Sequence, residues 1–312
     1  MNTSTSILHQ PPLSLGNGIK EEAVVINNDI FTSIFNYLLK EDRDKVAQPN
    51  LIIGEKGSGK TSLLKRMYFS IENSAKWLKP IFIDGKSLFS TDDIWKFHSL
   101  QDDSCRTVLL IDNVQYYFER TDNTEQYNLR GKLNKAGAPI LIATADKVLP
   151  AFTRYESAFF EGFKISYIRP LVVTDYSMFV GCEADMTRLE NLMSYLPKTP
   201  RSVQIAAKII EDSASPEMDI MLLLDYFSFY YQAKYDSYVV QIQRILSAIA
   251  RPENGVNLQE IRQITGQDNG KISPYLKLMA DRKIIDRTSQ TQRGGIYTIT
   301  DPLFKLWLQT NV

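Results

Sequence analysis

The chain has 312 residues, 44% of them apolar and 23% charged, a balance that excludes a disordered or collagen-like chain and gives room for two or three cores. Its 36 basic residues are matched by 36 acidic ones, so contact with nucleic acid has to rest on a local basic patch and not on whole-protein charge. Cys105 and Cys182 have no ligand-like spacing, no apolar run is long enough to span a bilayer, and Met1 to Ser6 lacks the features of a secretory leader. The expectation is a cytoplasmic protein without membrane contact, disulfide framework or zinc site.

Pro11, Pro12, Gly16 and Gly18 punctuate an opening stretch, residues 1–27, that reads as an irregular arm. From Asn28 to Lys40, Ile30, Ile34, Phe35, Leu38 and Leu39 recur at helical spacing. Short apolar runs then alternate with helical segments, at Asn50 to Ile53, Pro80 to Ile83, Thr107 to Ile111, Pro139 to Ala143 and Lys164 to Ile168. Runs of this kind are strands of a parallel sheet covered on both faces, which makes residues 28–170 an α/β sandwich. Over residues 171–236 the strand signal vanishes, and helices are expected at Asp175 to Phe179, Met186 to Leu196, Ser202 to Ile210 and Met218 to Tyr231. Tyr226, Phe227, Phe229, Tyr230, Tyr231, Tyr235 and Tyr238 stand on or just beyond the last of these beside Leu222 to Leu224, and are read as core or lid packing. Residues 237–312 give three helices, Val239 to Ala250, Leu258 to Thr265 and Lys271 to Arg282. Two short strands follow, Ile284 to Thr288 and Ile296 to Thr300, turned at Gly294 and Gly295, and the set describes a winged helix-turn-helix.

Gly54-Glu55-Lys56-Gly57-Ser58-Gly59-Lys60-Thr61 satisfies G-x-x-x-x-G-K-[ST] between the strand Leu51 to Ile53 and the helix Thr61 to Ser70, whose first turn includes Ser62. In that context the glycines let backbone N–H groups face a phosphate chain, the helix start adds partial positive charge, Lys60 reaches the β and γ phosphates and Thr61 ligates Mg²⁺. ATP with Mg²⁺ is the implied ligand. Val108 to Ile111 followed by Asp112 resembles a Walker B segment, with Asp112 holding the metal through water.

Together these segments resemble the AAA+/STAND division of P-loop ATPases, and within it the archaeal-type ATPases and origin-recognition initiators, over residues 28–312. The resemblance implies a P-loop parallel-sheet core over 28–170, a helical lid over 171–236 and a C-terminal winged helix over 237–312. It implies that a polar residue after the fourth strand, Thr144 or Asp146, contacts the γ-phosphate or the attacking water; a simple strand-ending turn is the alternative. Arg154 takes the place of an arginine finger toward a neighbouring subunit, or is a solvated surface arginine. Arg201, in Pro197 to Ser202, matches the arginine that reaches back to the γ-phosphate from the lid. Tyr297 to Trp307 matches a closing wing strand and helix with a buried tryptophan. The position after Asp112 departs from the family: most members carry a glutamate there, and this chain has Asn113, which orients a water but does not accept its proton. Hydrolysis is therefore expected to be slow or to draw on another base.

From Ser237 onward six arginines and four lysines meet six acidic residues. Lys271, Ser273, Lys277, Arg282 and Lys283 fall in or beside the expected recognition helix, with Arg287 and Arg293 flanking the wing. A winged helix so charged neutralises phosphates of double-stranded DNA, and the same fold also serves as a protein-contact module. Two readings stay open: an ATP-driven switch that controls DNA engagement or self-assembly, and a STAND-like signalling switch whose winged helix binds a protein partner.

Overall fold

The computed structural model describes residues 27–41, 45–99, 105–180, 185–288 and 295–312. The expected arm other than Asn27, together with Cys182, Arg293 and Gly294, lies outside the described residues. The chain divides into two compact units, one running through Phe179 with Thr199–Arg201 and one made of Val180–Lys198 with Ser202–Val312.

Five strands organise the first unit: β1 (Asn50–Ile53), β2 (Leu78–Asp84), β3 (Arg106–Asp112), β4 (Ile140–Ala145) and β5 (Lys164–Tyr167). They lie in the order β2-β3-β4-β1-β5, with every neighbouring pair parallel. Parallel neighbours require crossovers, and the crossover helices bury both faces, which is why every residue of β1, β3 and β4 is buried. Side chains alternate between the faces. Ile52, Val108, Leu110, Ile140 and Ile142 pack against α1 (Asn28–Lys40) and α2 (Lys60–Ser74), while Leu51, Leu109, Ile111 and Leu141 join the opposite core. That second core is covered by α3 (Thr91–Ser99), α4 (Gln115–Arg120), α5 (Asn123–Leu133) and α6 (Pro150–Thr153). The unit closes with α7 (Val173–Tyr176), where Arg169 donates to both oxygens of Asp175 at 2.6 and 3.1 Å.

The second unit opens with α8 (Met186–Met193), the part of α9 (Pro200–Asp212) from Ser202 on, and α10 (Pro216–Asp236). Ser215 starts α10: its hydroxyl accepts from the Met218 N–H at 3.3 Å, and Pro216 in the first turn has no N–H to leave unpaired. Then come α11 (Val240–Ala250), β6 (Val256–Asn257), α12 (Leu258–Thr265), α13 (Asn269–Asp281), β7 (Ile285–Thr288), β8 (Ile296–Ile299) and α14 (Pro302–Asn311). Asn257 and Glu260 form a reciprocal cap at the start of α12, and Gly266, at φ 67°, ends it in the left-handed region glycine tolerates. The strands form an antiparallel sheet in the order β6-β8-β7. Two residues of β6 are too few to leave an alternation, so the sequence carries no sign of this third strand.

Trp307 on α14 is buried, as expected, and its indole N–H donates to Ser228 on α10 at 3.1 Å. The aromatic cluster on α10 needs correction. Only Tyr231 is buried, while Tyr226, Phe229 and Tyr230 are 57%, 89% and 58% exposed. A helix turns about 100° per residue, so a run of aromatics this dense has to place some of them away from the single face that packs.

Candidate functional site

The loop Gly54–Gly59 leaves the carboxyl end of β1 and enters α2, held from below by the Gly54 N–H, which donates to the Ala145 carbonyl at 3.2 Å. Gly57 and Gly59 have φ of 86° and 93°, a left-handed path that turns successive N–H groups toward one side. A Cβ on Gly54 would come within 2.7 Å of the Ser58 hydroxyl. That hydroxyl is buried without a hydrogen-bond partner, and an orphaned donor inside a curl of amides suits an anion. Glu55 and Lys56 point to solvent, and Ser62 is half-buried in the first turn of α2.

Lys60, 7% exposed, donates from Nζ to the carbonyls of Gly54 at 2.6 Å and Glu55 at 2.9 Å. Burial pushes its ammonium below the ordinary lysine range, against the opposing pull of Asp112, Asp146 and Glu55. Thr61 donates from Oγ1 to Asp112 Oδ2 at 2.6 Å. Thr144 donates to the other oxygen, Oδ1, at 2.5 Å, and accepts the Asn113 N–H at 3.0 Å. The phosphate loop and the Walker B-like strand, 51 residues apart, thus meet through one hydroxyl–carboxylate bond.

β4 runs to Ala145, two residues beyond the expected end, so Thr144 lies inside the strand and is fully buried. Its hydroxyl is used on Asp112 and does not face the open edge. Asp146, the other residue considered for that role, is exposed just past the strand. Asn113 has a φ of 58°, which asparagine accepts more readily than most residues. Its side-chain amide donates to Asp84 Oδ1 at 3.5 Å. Asp84 was missed in the sequence, although it ends an apolar strand as Asp112 does.

No protein-family model and no curated protein sequence matches the chain. A Walker-type ATPase of Pyrococcus abyssi is similar in structure at a TM-score of 0.57 and 14% identity, over 93% of this chain and 97% of that one. The fold is that of a P-loop ATPase. The Aeropyrum pernix ORC1 protein in complex with DNA follows at a TM-score of 0.49 and 12% identity, over 93% of this chain and 91% of that one. AMPPCP-bound DnaA from Aquifex aeolicus has a TM-score of 0.41 and 17% identity, over 82% and 88% of the two chains. These two, below 0.5, add nothing to the fold assignment.

On this P-loop ATPase fold Arg201 stands beside the loop: its N–H donates to the Gly57 carbonyl at 3.4 Å, and a Cβ on Gly57 would meet the Arg201 Cβ at 3.0 Å. Arg154 is exposed at the end of α6, on a cleft of about 460 Å³ that Glu119 and Glu156 also line. In the second unit Lys271, Ser273, Lys277, Arg282 and Lys283 are all exposed. Ile272, Leu276 and Met279 bury one face of α13. Lys277 therefore lies on the solvent face, with Lys271 and Ser273 at its two margins. Among the described residues no helix is long and apolar enough to cross a membrane.

Proposed function

We propose that the chain binds ATP with Mg²⁺ in this cradle and acts as a cytoplasmic AAA+-type nucleotide switch, with residues 28–170 as core, 171–236 as lid and 237–312 as a winged helix. The observation that carries the reading is the joining of Lys60, Thr61 and Asp112 at the mouth of a loop whose Ser58 hydroxyl is buried and unpaired. In this reading the loop amides and Ser58 take the phosphates, and Lys60 leaves its carbonyls for the β and γ oxygens. Thr61 and Asp112 hold Mg²⁺, which supplies charge neutralisation between the phosphates. Arg201 reads the γ-phosphate from beside Gly57, and Arg154 reaches the nucleotide of a second copy in a homo-oligomer.

The winged helix engages double-stranded DNA through Lys271, Ser273, Lys277, Arg282, Lys283 and Arg293, with phosphate contacts along α13 and its end. Calorimetry with ATP and Mg²⁺ tests the first half: the wild type binds, and Lys60→Ala binds at least roughly 100-fold more weakly. Equal affinity for the two proteins sinks it. Filter binding to duplex DNA over a salt series tests the second half. Affinity falls with salt, and Lys277→Ala lowers the log–log slope by about one. Binding without salt dependence removes the DNA half.

Asn113 favours a second reading, a STAND-like switch that holds ATP with slow turnover while the winged helix grips a protein. Co-purification of a protein partner from cells, with no affinity for duplex DNA, would select it.

A further inference from the structure

β2 and β3 are parallel neighbours in a register that sets Asp84 directly beside Asp112, so their Cα atoms are about 4.8 Å apart. Both side chains leave the sheet on the face where α2 begins: Asp112 shares parity with Val108 and Leu110, and Asp84 with Phe82, all packed in the core under α2. The two carboxylates are nonetheless kept differently. Both oxygens of Asp112 are engaged by Thr61 and Thr144. Asp84 takes the Lys86 N–H at 3.1 Å and the Asn113 amide at 3.5 Å on Oδ1 alone, and Oδ2 accepts nothing among the described residues.

Three contacts fix this pair. Asn113 is tied to β4 through its N–H on Thr144. Its carbonyl crosses Gly85 so closely that a Cβ there would meet it at 2.4 Å. The Lys86 N–H holds the Asp84 carboxylate in place. The chain therefore presents, one strand over from the Walker B-like aspartate, an exposed carboxylate oriented by the amide that stands where a base is missing.

We propose that Asp84 accepts the proton of the water that attacks the terminal phosphate, with Asn113 as the residue that positions it. The proposal rests on the cradle being an ATP site. In the step, the water oxygen bonds to the γ-phosphorus and the bond from that phosphorus to the β–γ bridging oxygen breaks, its electron pair leaving with ADP. The water proton passes to Asp84 Oδ2 and is released to solvent with the products. No oxidant or reductant takes part.

Asp84→Asn keeps the oxygen that caps Lys86, so it separates proton acceptance from turn structure. The experiment measures MgATP turnover and ATP affinity by calorimetry for the wild type, Asp84→Asn and the double variant Asp84→Asn with Asn113→Glu. The expected result is a fall in kcat of roughly 100-fold or more for Asp84→Asn, with ATP affinity within about threefold of wild type. A glutamate at 113 then restores turnover by supplying the carboxylate from the next strand. Turnover in Asp84→Asn within about threefold of wild type overturns the proposal, as does a wild-type chain that binds ATP and never hydrolyses it. Failure of the wild type to bind ATP instead overturns the reading of the cradle.

Discussion

Asp112 in the first unit and Asp219 in the second, both buried, are held in opposite ways. Asp219 on α10 is 1% exposed and is clasped by Arg188 of α8, from Nε at 2.8 Å and from the terminal nitrogen at 2.5 Å, with Ser213 bonding the same guanidinium. That hydrogen-bonded guanidinium holds the Asp219 carboxyl below its usual range. Asp112, 5% exposed, has only the two threonine hydroxyls as hydrogen-bond partners, and no cation lies within ion-pair distance among the described residues. Hydroxyls solvate a carboxylate without neutralising it. The first arrangement is a finished ion pair that fastens α8 to α10; the second leaves charge over, which is what the proposed Mg²⁺ site needs.

The sharpest way to break this contrast is Arg188→Ala, which strands Asp219 in the interior and is expected to cost about 3–5 kcal/mol, read as a lower denaturation midpoint for the second unit. Because the folded Asp219 titrates below its unfolded value, its contribution is present at neutral pH and is lost as pH falls through the folded pKa. The wild type loses that contribution on acidification and the variant has none to lose, so the gap between them narrows. A gap that is the same at every pH would mean that the pair is not what separates the two proteins.

Thr144→Val tests the other aspartate. The variant keeps the shape and deletes the one hydroxyl shared by Asp112 and the Asn113 N–H, at a cost of about 1–3 kcal/mol in stability. If Asp112 is a metal holder, the Mg²⁺ concentration needed for ATP binding rises about 10- to 100-fold. A purely structural Asp112 would give the stability loss with an unchanged Mg²⁺ requirement, and calorimetry over a magnesium series distinguishes the two.

How far the sequence disclosed these features follows from the range of the forces involved. The phosphate loop is local: eight residues, Gly54 to Thr61, whose glycines and lysine carry their own conformational and chemical signature, readable without knowing the rest of the chain. The strands β1, β3 and β4 are apolar throughout because both of their faces are covered, and that burial leaves unbroken runs. β4 runs two residues past the apolar run, because polar Thr144 interrupts that run in the sequence although it is buried as completely as Ala145. The pairing of Asp84 with Asp112 depends on sheet order, and nothing within either strand specifies its neighbour. Arg188 and Asp219 are 31 residues apart on separate helices, and their clasp depends on how those helices pack.

The smallest expected effect is the most demanding test of exposure. Tyr231 and Phe229 stand two residues apart on α10, yet Tyr231 is 4% exposed, stacks on Phe304 at 5.2 Å and donates to Asp301, while Phe229 is 89% exposed. Burial and the adjacent Asp301 push the Tyr231 phenol well above its ordinary range, the mark of a ring committed to the core. Two residues on a helix subtend about 200°, so the two rings occupy opposite faces as a matter of geometry. Phe229→Ser should then change stability by no more than about 0.5 kcal/mol and leave ATP affinity alone. A loss above about 2 kcal/mol, the scale for a buried aromatic side chain, would mean that this ring is covered in solution by something other than the packing of its own unit. Sedimentation of the two proteins across concentration would then show whether a second copy supplies the cover.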